Sequence, residues 1–278
     1  MGDVPGERGD VPPRGGEGGG VPGRLRALPR GGPGLFFPVP ILVRRVKVLR
    51  FRIPERQAGN RGIGLSYGGR CPRATAYRHR GFAETPHPHL DPTRRFLALE
   101  VGRALHEQVR SLLEDVRDME RRVRVEVAPG LLVEGHIDGL VPHPEDGSLL
   151  LLELKTMSPY GFEKLQKGEE VERSYLVQVN LYLEALLPEG IDRALFVALN
   201  KADGNLHTRI LPFDPALAEE GKENLRKALT LPPEAIERPY APDEKGRLPW
   251  QCAYCEFWAH CWPEAKPNGE RGKPILTL

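Results

Sequence analysis

The run Leu149-Leu150-Leu151-Leu152-Glu153-Leu154-Lys155-Thr156 is apolar enough to be a buried strand, yet it carries two charges. A strand alternates its side chains between two faces, so Glu153 and Lys155 point the same way. A charge taken out of water needs a partner or a task, because its desolvation is otherwise uncompensated. Upstream, the strand-like run Leu131–Val141 carries Asp138, and the turn Pro144-Glu145-Asp146-Gly147 joins the two runs. One hairpin is therefore expected to bring Asp138, Glu153 and Lys155 together. Two carboxylates can hold a hard, oxygen-preferring cation such as Mg²⁺ or Mn²⁺. The lysine can orient or help deprotonate an attacking water and stabilise a pentacovalent phosphate. A plain Glu153–Lys155 salt bridge is the structural alternative.

Around this hairpin the periodicity predicts an alternation of elements. Residues Phe96, Leu97, Val101, Leu105, Val109, Leu112, Leu113 and Val116 follow a helical repeat, which predicts one amphipathic helix from Pro92 to Arg122. Strands are expected over Val123–Val127, Leu131–Val141, Leu149–Thr156, Arg193–Asn200 and Thr208–Phe213. Further helices are expected over Tyr175–Leu187, ending at Pro188-Glu189-Gly190, and from Pro215 to about Leu229. This order implies an α/β fold with a mixed sheet flanked by helices.

Two further patterns frame the hairpin: Gly102-Arg103-Ala104-Leu105-His106-Glu107 upstream and Gln178-Val179-Asn180-Leu181-Tyr182 downstream. His106 can add a nitrogen ligand to the same cation, which shifts preference towards Mn²⁺. Gln178 and Tyr182 are four apart on a helix and share a face, where they can contact a DNA strand or hold Lys155. Together with Gly135-His136-Ile137-Asp138-Gly139 and Glu153-Leu154-Lys155-Thr156, this series resembles the PD-(D/E)XK nucleases, and specifically their RecB-like and Cas4-like branch. The resemblance implies a restriction-endonuclease-like core. It implies His106, Asp138, Glu153 and the Leu154 carbonyl as metal ligands, Lys155 as the catalytic lysine, and Gln178 and Tyr182 as the QxxxY motif, with Glu126 in an outer shell. The activity it implies is a metal-dependent, single-strand-preferring DNA exonuclease acting in CRISPR adaptation or in recombination and repair. A catalytically silent DNA-binding or scaffolding subunit is the alternative.

The chain has four cysteines, Cys71, Cys252, Cys255 and Cys261, split one plus three, and no cysteine is left over. One tetrathiolate site assembled across the chain accounts for them; zinc and an iron–sulfur cluster both accept four thiolates, and His260 is a competing ligand. The resemblance favours a 4Fe–4S cluster, since Cys71-Pro72-Arg73 paired with the C-terminal triad looks like the arrangement of Cas4-like and AddB-like nucleases. Its expected role is a staple that packs the C-terminal segment, residues 233–278, against the N-terminal helical region of a nuclease domain over residues 41–232.

Composition adds little about partners. The formal charge is +2, but residues 1–50 hold nine Lys/Arg against four Asp/Glu, so the remainder is slightly acidic and DNA must be met by a local groove. Residues 1–40 contain 12 Gly and 8 Pro and are expected to be a disordered tail, with structure beginning at the strand-like run Ile41–Ile53. With no long apolar run and no secretory signal, a cytoplasmic protein is expected. Arg70, Arg73, Arg78 and Arg80 are candidates for phosphate contacts. Trp250, Trp258 and Trp262 are expected to shield the cluster, and His87-Pro88-His89 to be a surface connection.

Overall fold

The computed structural model describes residues 62–85, 92–266 and 275–276. The tail at 1–40, the run Ile41–Ile53 and the His87-Pro88-His89 stretch lie outside them. Helix α1 (Pro72–His79) begins on a proline, which suits a first helical turn because its missing N–H would have no partner there. Helix α2 spans Pro92–Leu112 and strand β1 Arg122–Ala128, followed by β2 (Leu131–His136), β3 (Gly139–Pro142) and β4 (Leu149–Met157). Helix α3 (Pro159–Gln166) starts at an N-cap, Ser158, whose hydroxyl accepts from the Gly161 N–H. Helix α4 (Arg173–Leu186), β5 (Arg193–Asn200), β6 (Leu206–Pro212) and α5 (Pro215–Thr230) complete the alternation. Two single-turn helices, α6 (Trp250–Ala253) and α7 (Trp258–Cys261), carry Cys252 and Cys261, with Cys255 between them.

The central sheet has the order β3-β4-β5-β6, with β4 and β5 parallel and the outer pairs antiparallel. A parallel neighbour requires a crossover, and α3 and α4 supply it. Every residue of β4 from Leu150 to Leu154 is buried, as its leucine run demands. One face presents Leu151 to a core shared with Phe162, Val179, Leu183 and Phe196. The opposite face presents Leu152 and Leu154 to Val109 and Val116. This is the mixed α/β architecture expected, a mixed sheet flanked by helices. All described residues, the cysteine segment included, belong to one compact unit.

Two boundaries differ from expectation. The run Leu131–Val141 is not one strand: β2 pairs with β1 in a separate hairpin, and the chain breaks at Ile137-Asp138 before β3 joins the central sheet. Helix α2 stops at Leu112, ten residues early. Beyond it, Asp115, Asp118 and Glu120 take φ values of 60°, 52° and 56°, left-handed turns that a helix cannot contain. Val116 still reaches the core, but from a loop, while Leu97, Val101 and Leu112 on the helix are exposed.

The β3–β4 turn is locked by Asp146. Its carboxylate accepts from the Ser148 N–H at 2.9 Å, from the Ser148 hydroxyl at 2.5 Å and from Arg193 at 3.1 Å. The Ser148 hydroxyl, then its N–H, then Arg193 hold the carboxyl well below the usual carboxylate range. A depressed pKa stabilises the fold fully above the unfolded value of about 3.9 and loses that contribution as pH falls through the folded value. Asp146→Ala should therefore melt below wild type at pH 7, and the gap should close only under strongly acidic conditions. Equal melting curves at neutral pH would remove the lock from the account.

Candidate active site and cysteine centre

Strand β3 begins at Gly139, opposite Leu152, so the edge of β4 beyond that point has no β3 partner. Asp138 fills the gap. Its Oδ2 accepts the Leu154 N–H at 2.8 Å and lies 3.2 Å from His106 Nε2 on α2. The strand break that the sequence did not show is thus what turns this carboxylate towards α2. Leu154 turns its side chain into the apolar cluster on the far face and offers only its backbone to this corner.

Glu153 and Lys155 project from β4 towards α4 and form a direct ion pair. Glu153 is 1% exposed. Gln178 ties the pair to the helix: its amide nitrogen donates to Glu153 Oε1 at 3.0 Å, and its amide oxygen accepts from Lys155 Nζ at 3.3 Å. The same nitrogen stands 3.5 Å from the Tyr182 hydroxyl. Tyr182 is 3% exposed and supports the amide from behind. Gly135 permits this arrangement, because a Cβ there would fall 2.6 Å from the Tyr182 ring. The structure therefore brings together two bonded groups, His106–Asp138 and Glu153–Lys155–Gln178–Tyr182, with Asp138 close enough to act electrostatically on Glu153 and Lys155. Glu126 belongs to neither; exposed on β1, it accepts the Gly130 N–H at 2.7 Å and closes its own hairpin.

The electrostatics follow from burial and pairing. Burial raises the Glu153 carboxyl above its ordinary value; Lys155 opposes that shift and Asp138 reinforces it. Burial alone would depress Lys155, but the Glu153 carboxylate and Asp138 outweigh it and hold the lysine above its ordinary value. The hydrogen bond to Asp138 raises the His106 imidazole, with burial opposing. Among the described residues no three His, Cys, Asp or Glu side chains converge as a ready-made metal site. The carboxylates are instead engaged with His106 and Lys155.

Tyr175 is a neighbour that sequence reasoning missed. Its ring lies under Lys155, whose Nζ is 5.2 Å from the ring centroid. The signal was present, since positions 175, 178 and 182 share one face of α4.

All four cysteines are free thiols that line a single small cavity of about 30 Å³. Burial pushes Cys252 up to about 11 and Cys255 up to about 12. Trp258 and Trp262 are buried in the cavity wall; the Trp258 indole N–H has no hydrogen-bond partner among the described residues, and the Trp262 side chain meets the Cys252 thiol. A further donor, the Phe257 N–H, points at Cys255 Sγ at 3.4 Å. Four thiols with N–H donors beside them are the donor set a sulfur-rich group takes, although no three of them converge as a ready-made metal site. His260 does not compete, because its Nε2 lies 2.8 Å from the Ala83 carbonyl.

The cysteine segment is clamped onto α1 by protein contacts as well. The Tyr77 hydroxyl donates to the His260 carbonyl at 3.1 Å, and Arg78 pairs with Glu256. Arg73 donates to the Ile236 carbonyl at 3.0 Å, and Arg80 to the carbonyls of Ala76 and Ala228. Three of the four arginines expected to meet phosphate are thus bonded to protein groups. Arg70 differs: it is exposed, with its guanidinium 4.8 Å from the Tyr67 ring centroid. Gly69 lets this stretch reach α4, since a Cβ there would lie 2.0 Å from the Ser174 carbonyl oxygen. Trp258 and Trp262 are buried as a shield should be, but Trp250 is 52% exposed.

No curated protein matches the chain significantly. Similar solved structures include SSO0001, at 17% identity and a TM-score of 0.43 over 72% of this chain and 84% of that one. LHK-Exo in complex with dAMP matches at 17% identity and 0.37 over 59% and 88%. An alkaline exonuclease (LHK-Exo) from Laribacter hongkongensis matches at 16% and 0.37 over 60% and 86%. The family model for the PD-(D/E)XK nuclease superfamily matches residues 67–262, a span that runs from just before Cys71 to just after Cys261 and encloses the whole acidic and lysine network. The chain belongs to the PD-(D/E)XK nuclease superfamily.

Proposed function

We propose that the protein is a divalent-metal-dependent DNA exonuclease with a preference for single strands, whose C-terminal segment is stapled by a 4Fe–4S cluster. The observation that carries the nuclease reading is the buried network in which Gln178 holds Glu153 and Lys155 beside Asp138 and His106. A carboxylate 1% exposed next to a second carboxylate suits a site that a small dication neutralises. Asp138, Glu153, His106 and the Leu154 carbonyl are the groups that would hold Mg²⁺ or Mn²⁺, with the imidazole favouring Mn²⁺. When bound, the cation supplies Lewis acidity to the phosphodiester and acidifies water.

The protein's own groups do the rest. Lys155 donates to the phosphoryl oxygen on which negative charge develops and orients the attacking water. Gln178 fixes the lysine relative to Glu153, and Tyr182 fixes the amide; both are positioning residues. In the cysteine centre, Cys71, Cys252, Cys255 and Cys261 would hold the cluster, with zinc as the alternative occupant. Single-strand preference and a place in CRISPR adaptation or recombination follow the Cas4-like resemblance.

The test is a gel assay on single- and double-stranded DNA labelled at either end, with Mn²⁺ or EDTA. Progressive shortening of single strands with Mn²⁺, absent with EDTA and lost in Asp138→Asn, is expected. Binding of DNA with no shortening under any condition would replace the enzyme by a silent DNA-binding subunit.

A further inference from the structure

The cysteine segment faces more than its own cavity. A groove of about 570 Å³ runs from Lys155 and Gln178, past Tyr175, to Arg70, Tyr254 and Trp250 on the segment around α6. Trp250 also borders a neighbouring groove of about 740 Å³, which contains Tyr175 on its other side. It therefore borders both grooves, of which the first reaches Lys155. Its ring is 52% exposed, whereas Trp258 and Trp262, on the same segment, are 5–6% exposed and turned to the cysteines. Shielding thus accounts for two of the three tryptophans and not for Trp250.

An exposed indole, a tyrosine ring and the cations of Arg70 and Lys155 along one groove are the chemistry that receives a single strand: rings stack on unpaired bases and cations follow the backbone. A duplex keeps its bases inside and offers no face for the indole. We propose that Trp250 is a base-stacking residue that admits single-stranded DNA to the Lys155 site, so that the cysteine segment selects the substrate as well as closing the fold. This deepens the exonuclease reading and rests on it.

The experiment compares wild type, Trp250→Ala and Trp250→Phe in the full chain. In EDTA, where nothing is cut, addition of oligo-dT should quench tryptophan fluorescence in wild type. That quenching should be lost in Trp250→Ala, and binding should weaken by about ten-fold or more, in line with one lost stacked base. With Mn²⁺, Trp250→Ala should raise KM for single strands by a similar factor while kcat stays near wild type. Trp250→Phe should restore most of the loss. Hydrolysis of bis(p-nitrophenyl) phosphate, which has no base to stack, should be unchanged in both variants. Wild-type affinity and KM in Trp250→Ala would overturn the proposal. If wild type cuts nothing yet the EDTA binding results hold, the exonuclease reading fails and the stacking residue stands.

Discussion

Replacing Lys155 with alanine is expected to reduce Mn²⁺-supported DNA hydrolysis by about 10³-fold, the scale on which a preorganised charge at a developing anion contributes. Lys155 is held from three sides, by the Glu153 ion pair, the Gln178 amide oxygen at 3.3 Å and the Tyr175 ring beneath it. A cation fixed this way needs little rearrangement as charge builds on the phosphate, and no other lysine or arginine is bonded into this network among the described residues. The same substitution should destabilise the protein without divalent ions, because Glu153 is left buried and unpaired; breaking such a pair typically costs about 3–5 kcal/mol. Added Mn²⁺ should recover much of that stability, since it gives the carboxylate a new partner, and should recover none of the activity. Melting curves with and without Mn²⁺, set beside rates on end-labelled single strands, separate the two roles. Hydrolysis by Lys155→Ala within a few-fold of wild type would remove the lysine from the chemistry.

The parts of this site legible in the sequence are those written in short-range pattern. The β4 run shows itself because four leucines in a row belong inside, and strand alternation then places Glu153 and Lys155 on one face whatever the rest does. Gln178 and Tyr182 are legible for the same reason, since four residues make one helical turn. Asp138 was found by its position in a motif, but its surroundings were misjudged. Apolar alternation continues through Ile137 and Leu140, so nothing local announces that β2 and β3 belong to different sheets. The early end of α2 was hidden likewise, because Leu113 and Val116 keep the helical period while Asp115, Asp118 and Glu120 adopt left-handed turns without a glycine. Roles set by tertiary contact were out of reach. Arg73 and Arg80 read as surface cations and prove to be ties to carbonyls, and the division of three tryptophans into two buried and one exposed depends on which side of α6 and α7 meets α1.

Removal of the cysteine centre should act on stability where removal of the catalytic cation acts on rate. A cross-link from Cys71 to Cys252 closes a loop of well over 100 residues, and the chain-entropy scale for that length is about 5 kcal/mol. Part of this closure survives without any bound group, because Tyr77–His260, Arg78–Glu256 and Arg73–Ile236 already hold the segment on α1. These contacts are part-buried and modest one by one, so a net loss of about 2–4 kcal/mol is expected for Cys252→Ser, a fall of roughly 10 °C in Tm for a domain of this size. Burial keeps the Cys255 thiol up at about 12, so a vacated ring of neutral thiols repays none of that loss through charge. Brief EDTA treatment should do the reverse: hydrolysis stops, while Tm changes little, provided the cluster resists the chelator. Elemental analysis of anaerobically purified protein identifies the occupant, with about four irons per chain expected for one 4Fe–4S cluster. Zinc without iron would leave a staple and change its metal. A Cys252→Ser variant that melts within about 2 °C of wild type would show that the α1 contacts alone hold the segment, so that Trp250 is positioned by them and not by the thiols.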